Sequence, residues 1–227
     1  MEWMVPSVTS LAKKLLPQRL AAYAREYREV PAPARSEYLR FCFSKALKAG
    51  PWRQNLPEGA CSFLFVCHGN IMRSPFCETL LKGYLSHLND NAVSIASAGL
   101  HAQPGSHADP LAIGIARELG VSLDTHRSRL ITPEIVAQAD VIFAMDFRNY
   151  VELLSYFPTA SNKILMLGIY ASPSARTQIP DPYKRSEDEL RRCYALIDIC
   201  VRNLAKEIRC SEENAAKSMQ RMKLKER

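Results

Sequence analysis

From residue 61 onward the chain alternates short apolar runs with longer stretches in which apolar positions recur every three or four residues. The runs are "CSFLFVC" (61–67), "AVSIAS" (92–97), "DVIFAM" (140–145) and "KILML" (163–167), each of strand length. Helix-period stretches lie between and after them at 74–88, 107–119 and 147–155. Such alternation predicts an α/β fold, a parallel sheet wrapped by helices. The last helix, 186–209, is the clearest. Leu190, Cys193, Ile197, Cys200, Val201, Leu204 and Ile208 make one apolar stripe, and Ser186 with Glu189 forms a capping-box pattern. The stripe predicts packing on the sheet.

Residues 1–60 follow another pattern. Two helices are expected there, about 7–28 with Pro17 inside the first, and 37–49 after Ser36 as its cap. Pro31, Pro33, Gly50, Pro51 and Pro57 punctuate them. Three parts result: a basic helical N-terminal extension (1–60), an α/β domain (61–209) and a polar C-terminal tail (210–227) expected to fray. The extension's apolar faces are expected to dock on the body or on a second copy; contact of a basic amphipathic segment with a membrane surface or a partner is the alternative.

Composition narrows the class. With 227 residues, 47% of them apolar, the chain can bury a sizeable core. No apolar run approaches the roughly 20 residues that a membrane-spanning helix needs. The opening "MEWMVPSVTSLAKKLLPQRL" does not fit a secretory signal, because Glu2, Lys13 and Lys14 interrupt it. The net charge of +7 belongs to the ends: residues 1–60 hold ten Lys and Arg against five acids, 210–227 hold five against three, and 61–209 hold fifteen of each. A neutral body argues against a nucleic-acid partner. Seven cysteines without a Cys-x-x-Cys pair suggest a reducing, cytoplasmic compartment in which Cys77, Cys193 and Cys200 are core residues.

Cys67 has a different neighbourhood. It ends an apolar run and opens "CHGNIMRSP", with Arg73 six positions on and a helix-like stretch following. A loop between strand and helix turns backbone N–H groups inward, and the helix adds its positive end, so the whole makes an anion cradle. Gly69 is expected to provide the sharp turn. N–H dipoles and a cation favour thiolate over thiol, which makes Cys67 the candidate nucleophile. Arg73 supplies a planar fork for two phosphoryl oxygens. The departing oxygen needs a proton donor, and water later needs a base; Asp181 in "QIPDPYKRS", just before the last helix, can serve as both.

These residues resemble the low-molecular-weight protein tyrosine phosphatases. The resemblance covers about 61–209 through "VCHGNIMRSP", "SAGLHAQPGSHADP", "GVSLDTHRSR", "ADVIFAMD" and "IPDPYKRS" in order. It implies a four-stranded parallel sheet of flavodoxin-like type (the phosphotyrosine phosphatase I fold), no metal, no cofactor and a cysteinyl-phosphate intermediate. By the same match His68, Gly69, Asn70, Ile71, Met72 and Ser74 form the phosphate-binding loop with Cys67 and Arg73. Ser97 and His126 support it, Asp146 is an auxiliary carboxylate, and Tyr183 is an aromatic wall beside the substrate ring. The "IPDPYKR" form resembles bacterial members acting on tyrosine-phosphorylated kinases of polysaccharide export, which implies such a phosphoprotein partner.

Rival readings share the scaffold. Thioredoxin-coupled arsenate reductases relay electrons through two further cysteines roughly 70 to 80 residues beyond the nucleophile, and none lies between Cys77 and Cys193. Phosphoarginine phosphatases of this resemblance carry threonine where Ile71 stands; Ile71 and Tyr183 favour a flat phenyl ring. A phosphate-sensing scaffold without activity is opposed by the joint presence of Cys67, Arg73 and Asp181. Many relatives also carry a second loop cysteine at the position of Met72, so a protective loop disulfide is not expected here.

Overall fold

The computed structural model describes residues 27–28, 35–47, 49–52, 56–86, 93–171 and 178–225, with side chains described as far as 209. The chain divides into two compact units, Met1–Leu47 and Lys48–Arg227. In the first, helix α1 (Arg35–Ala46) buries Tyr38 and Phe41 and exposes Leu39 and Phe43. The expected cap Ser36 lies inside this helix, which starts at Arg35 and ends three residues before the expected position 49. Of the helix expected over 7–28, only Tyr27 and Arg28 lie within the described residues, and both are helical.

In the second unit, strands β1 (Ser62–Cys67), β2 (Ser94–Gly99), β3 (Val141–Ala144) and β4 (Ile164–Met166) form one parallel sheet in the order β2-β1-β3-β4. A sheet covered on both faces needs apolar residues at successive positions. "FLFVC" meets that demand, each residue at most 3% exposed. Phe63 and Phe65 stack on Phe143 of β3 with ring centroids 6.4 and 5.4 Å apart. The crossovers run through α2 (Arg73–Tyr84), α3 (Pro110–Glu118), α4 (Pro133–Gln138) and α5 (Phe147–Tyr156).

Helix α6 (Glu187–Lys225) is longer than expected, continuing sixteen residues past position 209 in an unbroken helix. Its stripe, expected to pack on the sheet, packs instead chiefly against α2, α3 and the 3-10 turn Leu167–Tyr170 that follows β4, because these elements flank it. Tyr194 lies flat on Phe76, centroids 3.7 Å apart and nearly parallel. Cys77, Cys193 and Cys200 are buried core thiols, and burial pushes Cys193 and Cys200 up to about 12. Residues 50–52 form a 3-10 turn beside β4 with Trp52 wholly buried, so this stretch lies in the α/β unit.

Two differences from expectation have local causes. The helix expected to reach 88 ends at Tyr84, where Leu85 leaves helical geometry and donates back to Leu81. Helix α4 has only six residues, too few for a periodic pattern. Its signal was instead Thr132-Pro133, a cap whose Oγ1 accepts from the Ile135 N–H, followed by proline at the first helical position.

Candidate active site

The register of the sheet sets the site. Cys67 ends β1 opposite Gly99, which ends β2, and the loop from 68 to 72 leads directly into α2. In this loop the carbonyls are tied to the surrounding scaffold. Those of Cys67 and His68 accept from the Leu100 and His101 N–H groups at 3.0 and 2.8 Å, and that of Ile71 accepts from the Asp109 N–H at 2.9 Å. The Asn70 carbonyl accepts from His126 Nε2 at 2.7 Å, and the Met72 carbonyl from the Tyr194 hydroxyl at 3.2 Å. Within one planar peptide the C=O and N–H point in opposite directions. Pinning the carbonyls outward therefore turns N–H groups inward. Helix α2 opens without a side-chain cap, so its first N–H groups are also left for an anion.

Asn70 organises the loop. It is completely buried in left-handed geometry (φ 53°), a conformation that asparagine tolerates better than most residues. The expected role of Gly69 is corrected here: Asn70 takes the positive φ, and a Cβ on Gly69 would meet nothing closer than the Ile71 side chain at 3.5 Å. Asn70 Nδ2 donates to Ser74 Oγ and Ser97 Oγ, both at 2.8 Å, while its Oδ1 accepts from the Arg129 N–H at 2.8 Å. The Ser97 hydroxyl donates to Glu78 Oε2 at 2.5 Å, which fixes the direction of the chain of hydrogen bonds.

The sulfur sits inside this network. Cys67 Sγ lies 3.0 Å from Ser74 Oγ and accepts from the Asn70 N–H at 3.3 Å. Because Ser74 Oγ already accepts from Asn70, its own proton is available for Sγ or for the Ala98 carbonyl at 3.3 Å.

Arg73 is 98% buried, yet charged groups surround it. Nη1 donates to Asp146 Oδ2 at 2.6 Å and to the Ile179 carbonyl at 3.1 Å; Nη2 lies 3.1 Å from Asp181 Oδ1. Burial alone would pull the guanidinium pKa down, but Asp146, Cys67 and Asp181 outweigh it, and the net shift is upward. The loop that carries Asp181 is held by the Ile179 N–H, which donates to the Met145 carbonyl at 2.8 Å. Asp181 and Tyr183 are each about half exposed at its tip, and the Tyr183 N–H donates weakly to Asp181 Oδ1 at 3.4 Å.

Cys67, Asn70, Arg73, Ser74, Ser97, His126, Asp146 and Asp181 thus fall into one connected arrangement. His68, Gly69, Ile71 and Met72 complete the loop, with His68 exposed and Met72 buried. Four contributors escaped the sequence reading: Gly99, Glu78, Asp109 and Arg129. A Cβ on Gly99 would stand 2.8 Å from backbone atoms of His68, Gly69 and Asn70, so the loop rests on its bare Cα. The "SAG" tripeptide carried that signal, in a glycine ending a strand beside the nucleophile's strand.

Known proteins show the same arrangement of sequence and fold. A family model described as low molecular weight phosphotyrosine protein phosphatase matches residues 62–214. The low molecular weight protein-tyrosine-phosphatase Wzb of Salmonella typhi is 34% identical over 149 residues, covering 66% of this chain and 95% of Wzb. The crystal structure of the Erwinia amylovora tyrosine phosphatase AmsI superposes with a TM-score of 0.58 at 33% identity, covering 63% of this chain and 90% of that one. The YwlE arginine phosphatase from Geobacillus stearothermophilus gives 0.61 at 27% identity, with 68% and 96% covered.

Proposed function

The chain belongs to the low molecular weight phosphotyrosine protein phosphatase family, and from that footing we propose that it hydrolyses phosphotyrosine on proteins through a phosphorylated Cys67. The observation that carries this reading is one buried guanidinium shared between the two ends of the reaction. Arg73, at the far end of the loop that Cys67 opens, sits 3.1 Å from Asp181.

In the first step the Cys67 sulfur attacks phosphorus, and the bond to the phenolic oxygen breaks as Asp181 gives that oxygen a proton. The inward N–H groups and Arg73 hold the equatorial oxygens as charge spreads over them. In the second step Asp181 takes a proton from water, which attacks the cysteinyl phosphate; inorganic phosphate leaves and sulfur regains its electron pair. Ser74 donates to that sulfur as it departs. Asp146 keeps Arg73 charged and directed, and Asn70, Ser97 and His126 hold the loop around it. Tyr183 and Ile71 border the entrance and suit a flat ring.

The partner in this reading is a tyrosine-phosphorylated protein, with a bacterial tyrosine kinase of polysaccharide export as the specific candidate. The odd number of thiols supports action in the cytoplasm, and among the described residues no helix is long and apolar enough to cross a membrane. Residues 1–47, the first compact unit, are proposed as a separate targeting segment, and their deletion should weaken sedimentation with anionic vesicles. The activity itself is tested by hydrolysis of aryl phosphate and of phosphoarginine by wild type and Cys67→Ser. Wild type should prefer the aryl ester and the variant should be inert. Equal rates in the two proteins, or none in either, remove the enzyme; preference for phosphoarginine reassigns the substrate.

A further inference from the structure

We propose that His68, His101 and Glu152 form a binding site for a divalent transition ion of the zinc class, on the rim of the phosphate loop, using its residue 68 but none of the groups assigned a chemical step. One donor atom from each of the three lies within 4.8 Å of the others. The His68 and His101 rings are 4.5 Å apart, and His101 Nε2 lies 2.7 Å from Glu152 Oε2.

Several elements bring these residues together. His68 directly follows the nucleophile's position, and its carbonyl accepts the His101 N–H at 2.8 Å, so the two backbones are strapped side by side. Glu152 comes from the middle of α5. One turn later on that helix, Tyr156 meets the His101 ring edge-on at 6.4 Å, leaving the imidazole between a second imidazole and a phenol. Little side-chain freedom remains to be lost at His101 when an ion arrives.

The donor chemistry selects the class. Two imidazoles and one carboxylate suit zinc and its neighbours, whereas calcium and magnesium demand oxygen ligands. A tetrahedral zinc with bonds of 2.0–2.1 Å needs donor atoms about 3.3–3.4 Å apart. The present separations bracket that value: the His101–Glu152 pair opens from 2.7 Å, and the widest separation closes from within 4.8 Å. All three side chains are at least partly exposed, so such movements meet no packed core. Three protein ligands leave the fourth position for water or another ligand. The ion adds a double positive charge at the residue next to Cys67.

The test is calorimetric titration of the full chain with zinc ions alone, repeated with cobalt(II) while following its visible absorption. Wild type should bind one ion through this site. Cys67→Ser should bind equally well, which separates the rim from the nucleophile. His101→Ala and Glu152→Gln should each weaken binding at least tenfold while retaining the wild-type melting temperature. Absence of binding to wild type, binding that survives both rim variants, or binding lost in Cys67→Ser overturns the proposal. In the first of these cases the cluster is only a tilted ring pair with a surface hydrogen bond.

Discussion

Asp146 Oδ2 accepts from Arg73 Nη1 at 2.6 Å, and the other oxygen of the same carboxylate accepts from the Asn149 N–H at 2.9 Å. One side chain therefore caps helix α5 and neutralises the buried cation proposed to anchor phosphate. The two roles separate by substitution. Asp146→Asn keeps a competent cap but removes the charge, and should cost about 1.5–3 kcal/mol of stability together with a large fall in kcat/KM. Asp146→Ala loses the cap as well, about 1 kcal/mol more. Chemical denaturation of both variants checks this, and equal stabilities would show that the cap has no separate role.

Asp181 is expected to matter in proportion to the need for a proton. In Asp181→Asn, turnover of aryl phosphates with poor leaving groups should drop by about 100-fold or more, while esters of acidic phenols lose much less. A leaving-group series plotted for wild type and variant reads this directly. Parallel lines would move the acid role to another group.

Asn70 combines a left-handed backbone with a full set of side-chain hydrogen bonds. Asn70→Ala strands Ser97, Ser74 and the Arg129 N–H, and should destabilise by about 2–4 kcal/mol. Asn70→Gly loses the same bonds but accepts the positive φ freely, and should recover about 1 kcal/mol of that loss. Thermal unfolding of the pair tests the split; a glycine variant no more stable than the alanine one would mean that the conformation contributes nothing.

Gly99→Ala introduces one methyl group 2.8 Å from three backbone atoms of the phosphate loop. No flexible side chain can yield there, so the loop itself must shift. The expected outcome is a folded protein with sharply reduced affinity for inorganic phosphate, measured by competitive inhibition of aryl phosphate hydrolysis. Unaltered inhibition would show that the loop tolerates the added atom.

His126 links loop geometry to pH. Burial lowers its pKa below the ordinary 6.5; Arg129 and Arg127 lower it further, while its bond to the Asn70 carbonyl and nearby Glu78 oppose the shift without reversing it. The unfolded chain therefore takes up the proton before the folded protein does. Stability from the neutral ring is complete above the unfolded value and is lost as pH falls through 6.5 toward the folded one. Between pH 7.5 and 5 the melting temperature of wild type should drop more than that of His126→Gln. Equal drops would discount this group.

The parts legible in the sequence were those written in short range. Short continuous apolar runs and the stripe from Leu190 to Ile208 located the four strands and the last helix, because burial imposes a pattern on consecutive residues. The Cys67–Arg73 loop was legible because its chemistry occupies one contiguous segment. Support from across the fold was harder to read. Arg129 contributes a backbone N–H, which any residue but proline possesses. Glu78 looks like one more charged residue on an exposed helix face until Ser97 is seen beside it. Asn70 was assigned a place in the hydrogen-bond network, but its backbone conformation was credited to the adjacent glycine, the residue type for which positive φ costs least.

The tethering of the loop carbonyls bears on selectivity. A socket whose donors are already aligned recognises four-cornered oxyanions by shape and charge, and it has no means of asking what hangs from the fourth corner. Sulfate, vanadate and arsenate should therefore lodge there as readily as their size and basicity permit. In the proposed mechanism, discrimination among esters is left to Ile71, Tyr183 and the histidine at position 68, so exchange of these residues should redirect the enzyme among substrates while leaving its chemistry intact.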